Sequence, residues 1–270
     1  MTVQRPSATR RGWRYFATRL NGDGTETLLD PDLPLQDPTI EDVLSGDNSL
    51  QAKIEPTYAR LKGLDGKTIL REWHTAIYAE NDGDIRGGGI LVNSGIDGPA
   101  WSLEAPGFTN YAVDMPWTAA SPISNDPPGW VVAAEKDGSG KGIGVDPIDM
   151  FRVIWRQLQE HPGGNLGLTI DSTTTKGKVK IGTELKQVEF DTQSGPVSFE
   201  SGPYKLNWYT NHDLSSDLND LANDTPFDYH ERHFWDASGT LRHHIDIGYP
   251  SLGPALRLRC KHLRPRGTRA

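Results

Sequence analysis

Residues 70–117 read LREWHTAIYAENDGDIRGGGILVNSGIDGPAWSLEAPGFTNYAVDMPW, and this stretch decides the fold class. Side chains alternate along its first run. Arg71, Trp73, Thr75, Ile77 and Ala79 share one face, and Glu72, His74, Ala76, Tyr78 and Glu80 share the other. A period of two is that of a β-strand. Asn81-Asp82-Gly83 interrupts the run, and a second run follows over residues 85–92. Asp-Gly between two such runs predicts a hairpin, because the tight turn needs backbone angles that Gly and Asp tolerate best. The stretch contains no recognisable nucleophile or metal motif. It predicts a β surface, and so a structural or assembly protein before an enzyme.

Two further segments follow the same plan of strand, acidic-glycine turn and strand. The first is 13–20, Asn21-Gly22-Asp23-Gly24, then 25–29; the other is 229–235, Asp236-Ala237-Ser238-Gly239, then 240–247. The eight Trp and eight Tyr agree with β structure, since bulky aromatics fit a half-buried pleated face. Between the first two hairpins, residues 39–44 read as a short helix capped by Thr39 or Asp37, and 49–55 as a strand. Strands are also expected at 166–171 and 186–190. Two helices are predicted. Over 146–160, Asp146 is the cap, Pro147 occupies the first helical position, and Ile148, Phe151, Ile154, Trp155 and Leu158 form one apolar stripe. Over 213–223, Asp213 is the cap and Leu214, Leu218, Leu221 and Ala222 form the stripe.

Composition bounds the function. A chain of 270 residues suits one large or two modest domains. No run of 18 apolar residues exists, so no membrane span is expected. The single Cys260 excludes an internal disulfide framework and suits a protein made in a reducing cytoplasm. The net charge of −8 is uneven. Residues 257–270 hold six basic side chains (Arg257, Arg259, Lys261, Arg264, Arg266, Arg269) and no acid, which leaves 22 basic against 36 acidic residues in the rest. A body that acidic does not bind DNA non-specifically, because that affinity comes from neutralising phosphates. The basic end reads as a solvated tail.

The candidate chemistry is thin. The glycine-rich 138–144 lacks the spacing of a phosphate loop: Glu135 stands where the first Gly belongs, and Gly142 follows Lys141. It reads as a surface loop. His230, His233, His243 and His244, with Asp246 nearby, cluster in the third hairpin. On a strand, His230 and His233 point to opposite faces, as do His243 and His244, so one cross-strand pair is the most they offer a metal. Half-exposed strand histidines are the simpler reading. Glu72, Glu80, Asp82 and Asp84 are too common a type of neighbour to mark a glycosidase. Trp73, Trp101, Trp117, Trp130 and Trp208 suit core packing or subunit contact before a sugar face. No catalytic, cofactor-binding or metal residue is assigned, and no cofactor is expected.

The order of many short elements carries a resemblance. Trp13-Arg14-Tyr15, Asp32-Leu33-Pro34-Leu35, Leu44-Ser45-Gly46-Asp47-Asn48, Ala52-Lys53-Ile54-Glu55-Pro56, Glu72-Trp73, Gly88-Gly89-Ile90-Leu91 and Met115-Pro116 come in sequence. They are followed by Pro162-Gly163-Gly164-Asn165-Leu166-Gly167, Thr225-Pro226-Phe227-Asp228-Tyr229 and Ile247-Gly248-Tyr249-Pro250. Over about 13–253 the chain resembles minor tail proteins of long-tailed phages that infect actinobacteria. It is also similar to the baseplate hub of contractile phages and to the N-terminal part of tail-associated proteins.

The resemblance implies a mainly β (α+β) fold, with two tail-tube-like β-barrel domains and two amphipathic helices packed against them. The implied organisation is a mobile arm over 1–12, a first β domain over 13–117, a linker over 118–145, a second α+β domain over 146–253 and a basic tail over 254–270. It further implies a non-catalytic homotrimer in the virion tail tip, made in the host cytoplasm. Its implied partners are the distal tail protein, the tail tube, the tape-measure protein and other tail-tip or fibre proteins, with DNA passing transiently through the channel. A carbohydrate-binding β module or a glycan hydrolase of the tail tip is the alternative. After Gly253 the chain departs from the family pattern, which leaves the completeness of the second barrel open.

Overall fold

The Asp82-Gly83 hairpin forms, with φ of 52° at Asp82 and 90° at Gly83. Two consecutive positive angles give the tight turn whose twist matches the flanking strands. The computed structural model describes residues 3–5, 12–46, 48–59, 62–63, 66–113, 123–125, 128–131, 135–136, 138–139, 142–179, 186–192, 195–201 and 213–252. The first half contains β1 (Trp13–Leu20), β2 (Glu26–Asp30), β3 (Gln36–Glu41), β4 (Ser49–Ile54), the single turn α1 (Pro56–Ala59), β5 (Thr75–Asn81), β6 (Asp84–Ile90), β7 (Asn93–Asp97), β8 (Ala100–Pro106) and a 3₁₀ turn (Phe108–Ala112). Two small hairpins follow, β9 (Ile123–Asn125) with β10 (Pro128–Val131), and β11 (Glu135–Lys136) with β12 (Gly142–Gly144). The second half contains α2 (Pro147–Glu160), β13 (Leu168–Ile170), the hairpin β14 (Lys186–Thr192) with β15 (Gly195–Ser201), α3 (Leu214–Asp224), β16 (Asp228–Trp235) and β17 (Leu241–Gly248).

Three sheets organise the molecule. The first has the order β2-β1-β5-β6 and the second β3-β4-β8-β7, both antiparallel. The third, β13-β17-β16, is mixed: β13 runs parallel to β17 and β16 antiparallel to it. Among the described residues no sheet closes on itself. The fold is mainly β, with α2 and α3 on the third sheet's side.

The first sheet is a middle layer. From one face, Ala17, Leu29, Ile77 and Ala79 meet Leu50, Ala52, Ile54, Leu103 and Ala105 of the second sheet in an apolar cluster. From the other face, Phe16, Leu20, Ala76 and Tyr78 meet Phe151, Ile154 and Trp155 of α2, Leu218 and Leu221 of α3, and Tyr229, Ile245 and Ile247 of the third sheet. The core therefore runs across the expected 118–145 boundary. Gly88 and Gly89 of β6 permit this close stacking. A Cβ on Gly89 would lie 2.1 Å from the carbonyl oxygen of Ala105, and one on Gly88 would lie 2.4 Å from the Tyr78 ring.

Both long helices form as their caps predict. The Asp146 carboxylate accepts from the Ile148 N–H with Pro147 in the first turn, and Asp213 accepts from the Ser216 N–H. Several other expectations need correction. The opening strand starts at Thr75, not Arg71; residues 71–74 are a turn, with Trp73 at φ 60°. Residues 39–41 belong to β3 rather than to a helix, because pairing with Leu50 and Gln51 of β4 satisfies their backbone. The strand expected at 166–171 shortens to β13, and that at 186–190 extends to Thr192. Within the expected N-terminal arm, Val3 is buried and Gln4 pairs with Thr240. No helix among the described residues is long and apolar enough to cross a membrane.

Candidate functional site: a buried glutamate–histidine chain

The third hairpin places His233 and His243 directly opposite each other, in register, on the same face of the sheet. Their Nδ1 atoms are 2.8 Å apart. His243 Nε2 lies 2.7 Å from Glu26 Oε1, which arrives from β2. His233 Nε2 lies 3.0 Å from Glu231 Oε1, two residues back on the same strand face. The result is a linear chain, Glu231–His233–His243–Glu26, that joins the first sheet to the third.

The carboxylates at its ends are well supplied with donors. Glu26 accepts from Thr18 Oγ1 at 2.5 Å and from the Tyr78 hydroxyl at 2.8 Å. Glu231 accepts from the Phe108 N–H at 2.7 Å and the Thr109 N–H at 2.9 Å. Those are the first free amides of the 3₁₀ turn, so Glu231 also caps it. Phe108 and Tyr78 flank the imidazoles, their ring centroids 4.9 Å and 5.8 Å from that of His243. All four residues of the chain are at most 6% exposed.

Proton counting fixes the state of the chain. The short Nδ1–Nδ1 contact needs one hydrogen between the two nitrogens. Each Nε2 faces a carboxylate oxygen, and a lone pair there would repel it, so each Nε2 carries a hydrogen. Three hydrogens on four nitrogens make one imidazolium and one neutral imidazole. We place the charge on His243, between the Glu26 carboxylate and the faces of two aromatic rings. His233 is then neutral and accepts at Nδ1; the contact of its Nε2 with Glu231 is poorly aligned and is the weak joint.

The electrostatics agree in direction. Burial alone would raise Glu26, but the charge and hydrogen bond of His243 and the bonds from Thr18 and Tyr78 outweigh it and hold the carboxyl below its usual range. Burial would likewise raise Glu231, and its hydrogen bond with His233 and the two backbone amides hold it low. The fixed N–H groups are the securer cause there, because they do not titrate. Burial lowers His233, and the neighbouring Glu231 only partly restores it. Burial and the negative charge of Glu26 push the Tyr78 hydroxyl well above its ordinary value.

The sequence indicated the histidine cluster and the possibility of one cross-strand pair, but not its burial. His230, His233 and His243 are all buried rather than half-exposed. His230 belongs to the opposite strand face and lies 2.6 Å from Asp42. His244 Nδ1 lies 2.8 Å from Thr169 Oγ1, and Asp246 pairs with Arg232. Among the described residues no group of three or more potential ligands converges on a point that could hold a metal. Glu26 carried no local signal, since its partner His243 is 217 residues away.

The remaining candidates scatter. Glu80 is buried and accepts from Arg14 at 2.5 Å and from the Trp235 indole at 2.9 Å. Glu72 and His74 are exposed in the turn before β5, where Glu72 accepts from the Ser94 N–H at the outer edge of β7. Asp82 accepts from the Gly12 N–H, and Asp84 pairs with Arg86. Trp73 is 43% exposed and meets Tyr111 edge-on; Trp101 is half-buried. Within 138–144, Gly138 and Ser139 are exposed in the turn joining β11 to β12. Lys141, Trp117, Trp208 and residues 253–270 lie outside the described residues, and the side chain of Trp130 is likewise not described. The chain matches no protein-family model and no curated protein sequence.

Proposed function

We propose that this chain is a structural, non-catalytic subunit of a phage tail tip, a hub that joins the tail tube and distal tail protein to the host-facing end. The observation that carries the reading is the strand order of the first half. Read around the two stacked sheets, it runs β2-β1-β5-β6 and then β7-β8-β4-β3. The consecutive pairs β6–β7 and β2–β3 pass from one sheet to the other at the two corners. An eight-stranded, rolled two-sheet layout of this kind is what a tube-like barrel requires, and it agrees with the ordered series of family-like segments. The proposed state is a homotrimer. The acidic body favours a channel that passes DNA without holding it. The edge strand β7, with Ile96 71% exposed and its Ser94 N–H held by Glu72, offers a place for a neighbouring strand beyond Ser94. Mass measurement in solution with negative-stain imaging tests the proposal. Rings of three with a central hole are expected; a stable monomer that retains a glycan overturns it.

One observation favours a second reading, a carbohydrate-binding module. Trp73 is an exposed bulky residue held at positive φ beside Tyr111, a conformation retained only where the surroundings impose it. Loss of glycan binding in Trp73→Ala would support that reading.

A further inference from the structure

We propose that the Glu231–His233–His243–Glu26 chain is an acid-released latch between the first sheet and the third. The inference stands on the geometry of the junction and holds whatever the assembly. Its four members come from β16, β17 and β2, and their further contacts are Tyr78 on β5, Thr18 on β1 and the Phe108 and Thr109 amides of the 3₁₀ turn.

The chain holds one imidazolium and has no room for two. When solvent acidifies, the next proton goes to His233 Nδ1, the one nitrogen of the pair that carries no hydrogen. A new N–H bond forms there, and the hydrogen bond donated by His243 Nδ1 loses its acceptor. Two N–H groups then face each other at 2.8 Å, on two cations whose ring centroids are 4.9 Å apart. Opening the junction relieves this contact, because each imidazolium can then turn its Nδ1–H to water. The same two strands that carry the histidines also carry Tyr229, Ile245 and Ile247, so their movement uncovers the shared core.

The direction of linkage is consistent. A histidine whose folded pKa is depressed binds its proton more readily in the open form. The contribution of His233 is therefore complete above the ordinary histidine value of about 6.5 and falls as pH drops below it. Glu26 and Glu231, held low in the closed form, extend the loss into the carboxylate range. Closing needs no ligand and no redox partner, only the return of neutral pH.

Hydrogen exchange on the full chain from pH 7.5 to pH 5, corrected for intrinsic rates, tests the latch. Protection of the Phe108 and Thr109 amides and of β16 should fall by about tenfold per pH unit for each proton taken up on opening. Amides between β4 and β8 should keep their protection. A uniform response, or none, overturns the proposal. His233→Gln supplies an amide oxygen that accepts from His243 but cannot take up the proton, so it should flatten the acid step while the chain stays folded at pH 7.5. An unchanged acid step in that variant overturns the latch. If the variant does not fold, a ¹⁵N titration of the wild-type imidazoles decides. Loss of protection that tracks the second protonation supports the latch, and both rings doubly protonated in a still-protected junction overturns it.

Discussion

The two faces of the first sheet are packed by different chemistry. One closes on the second sheet around buried Leu, Ile and Ala, with Trp13, Tyr15, Tyr58 and Trp101 partly buried against them. The other closes on the third sheet and the helices with an apolar rim around Glu26, Glu231, His233 and His243. Apolar burial is insensitive to protons, and its strength follows area removed from water. A buried ionic chain is different: it contributes little net stability when intact and costs much when one member is removed. The first face holds the β layers together at any pH, and the second makes the joint between halves conditional.

This contrast can be broken in three ways. Leu50→Ala, in the apolar face, should cost about 2–5 kcal/mol, the range for a large-to-small change in a core. The cost should be equal at pH 7.5 and pH 5.5 by denaturant unfolding; a pH-dependent cost breaks the comparison. Glu231→Gln should cost about 3 kcal/mol at pH 7.5, because it removes a carboxylate that serves two amides and an imidazole. Its cost should shrink at pH 5.5, where the wild-type junction is already weakened. Asp146→Ala should cost about 1–2 kcal/mol by loss of the cap on α2. Asp146 also accepts from the Lys176 and Gly177 amides and from Thr175. Burial opposes its charge, but these bonds hold its pKa below the ordinary carboxylate value. Its contribution fades only as pH falls through that lowered value, so the cost should not differ between pH 7.5 and pH 5.5.

The difference between the faces also explains what could be read in advance. The turns at Asp82-Gly83, Asn21–Gly24 and Asp236–Gly239, and the helix starts at Asp146 and Asp213, are local chemistry. Each is settled by residues within a few positions, and each formed where expected. Residues 39–41 became strand instead of helix because β4 supplied a ladder that local propensity could not anticipate. The burial of Glu80 was not legible, because alternation reports two faces, not whether both are covered. A strand in a middle layer buries both, so its polar positions must find partners inside. Arg14 and Trp235 are those partners for Glu80.

By itself the sequence determined the hairpins, the two capped helices, the mainly β class and the acidic balance of the body. All follow from interactions between near neighbours or from composition. Only the tertiary structure decided that the first sheet lies between two cores, that β13 pairs in parallel with β17, and that Glu26 meets His243 across 217 residues. Layering and burial depend on which elements meet after the chain has folded, and a proton shared inside a low-dielectric core belongs to that meeting rather than to any residue in it.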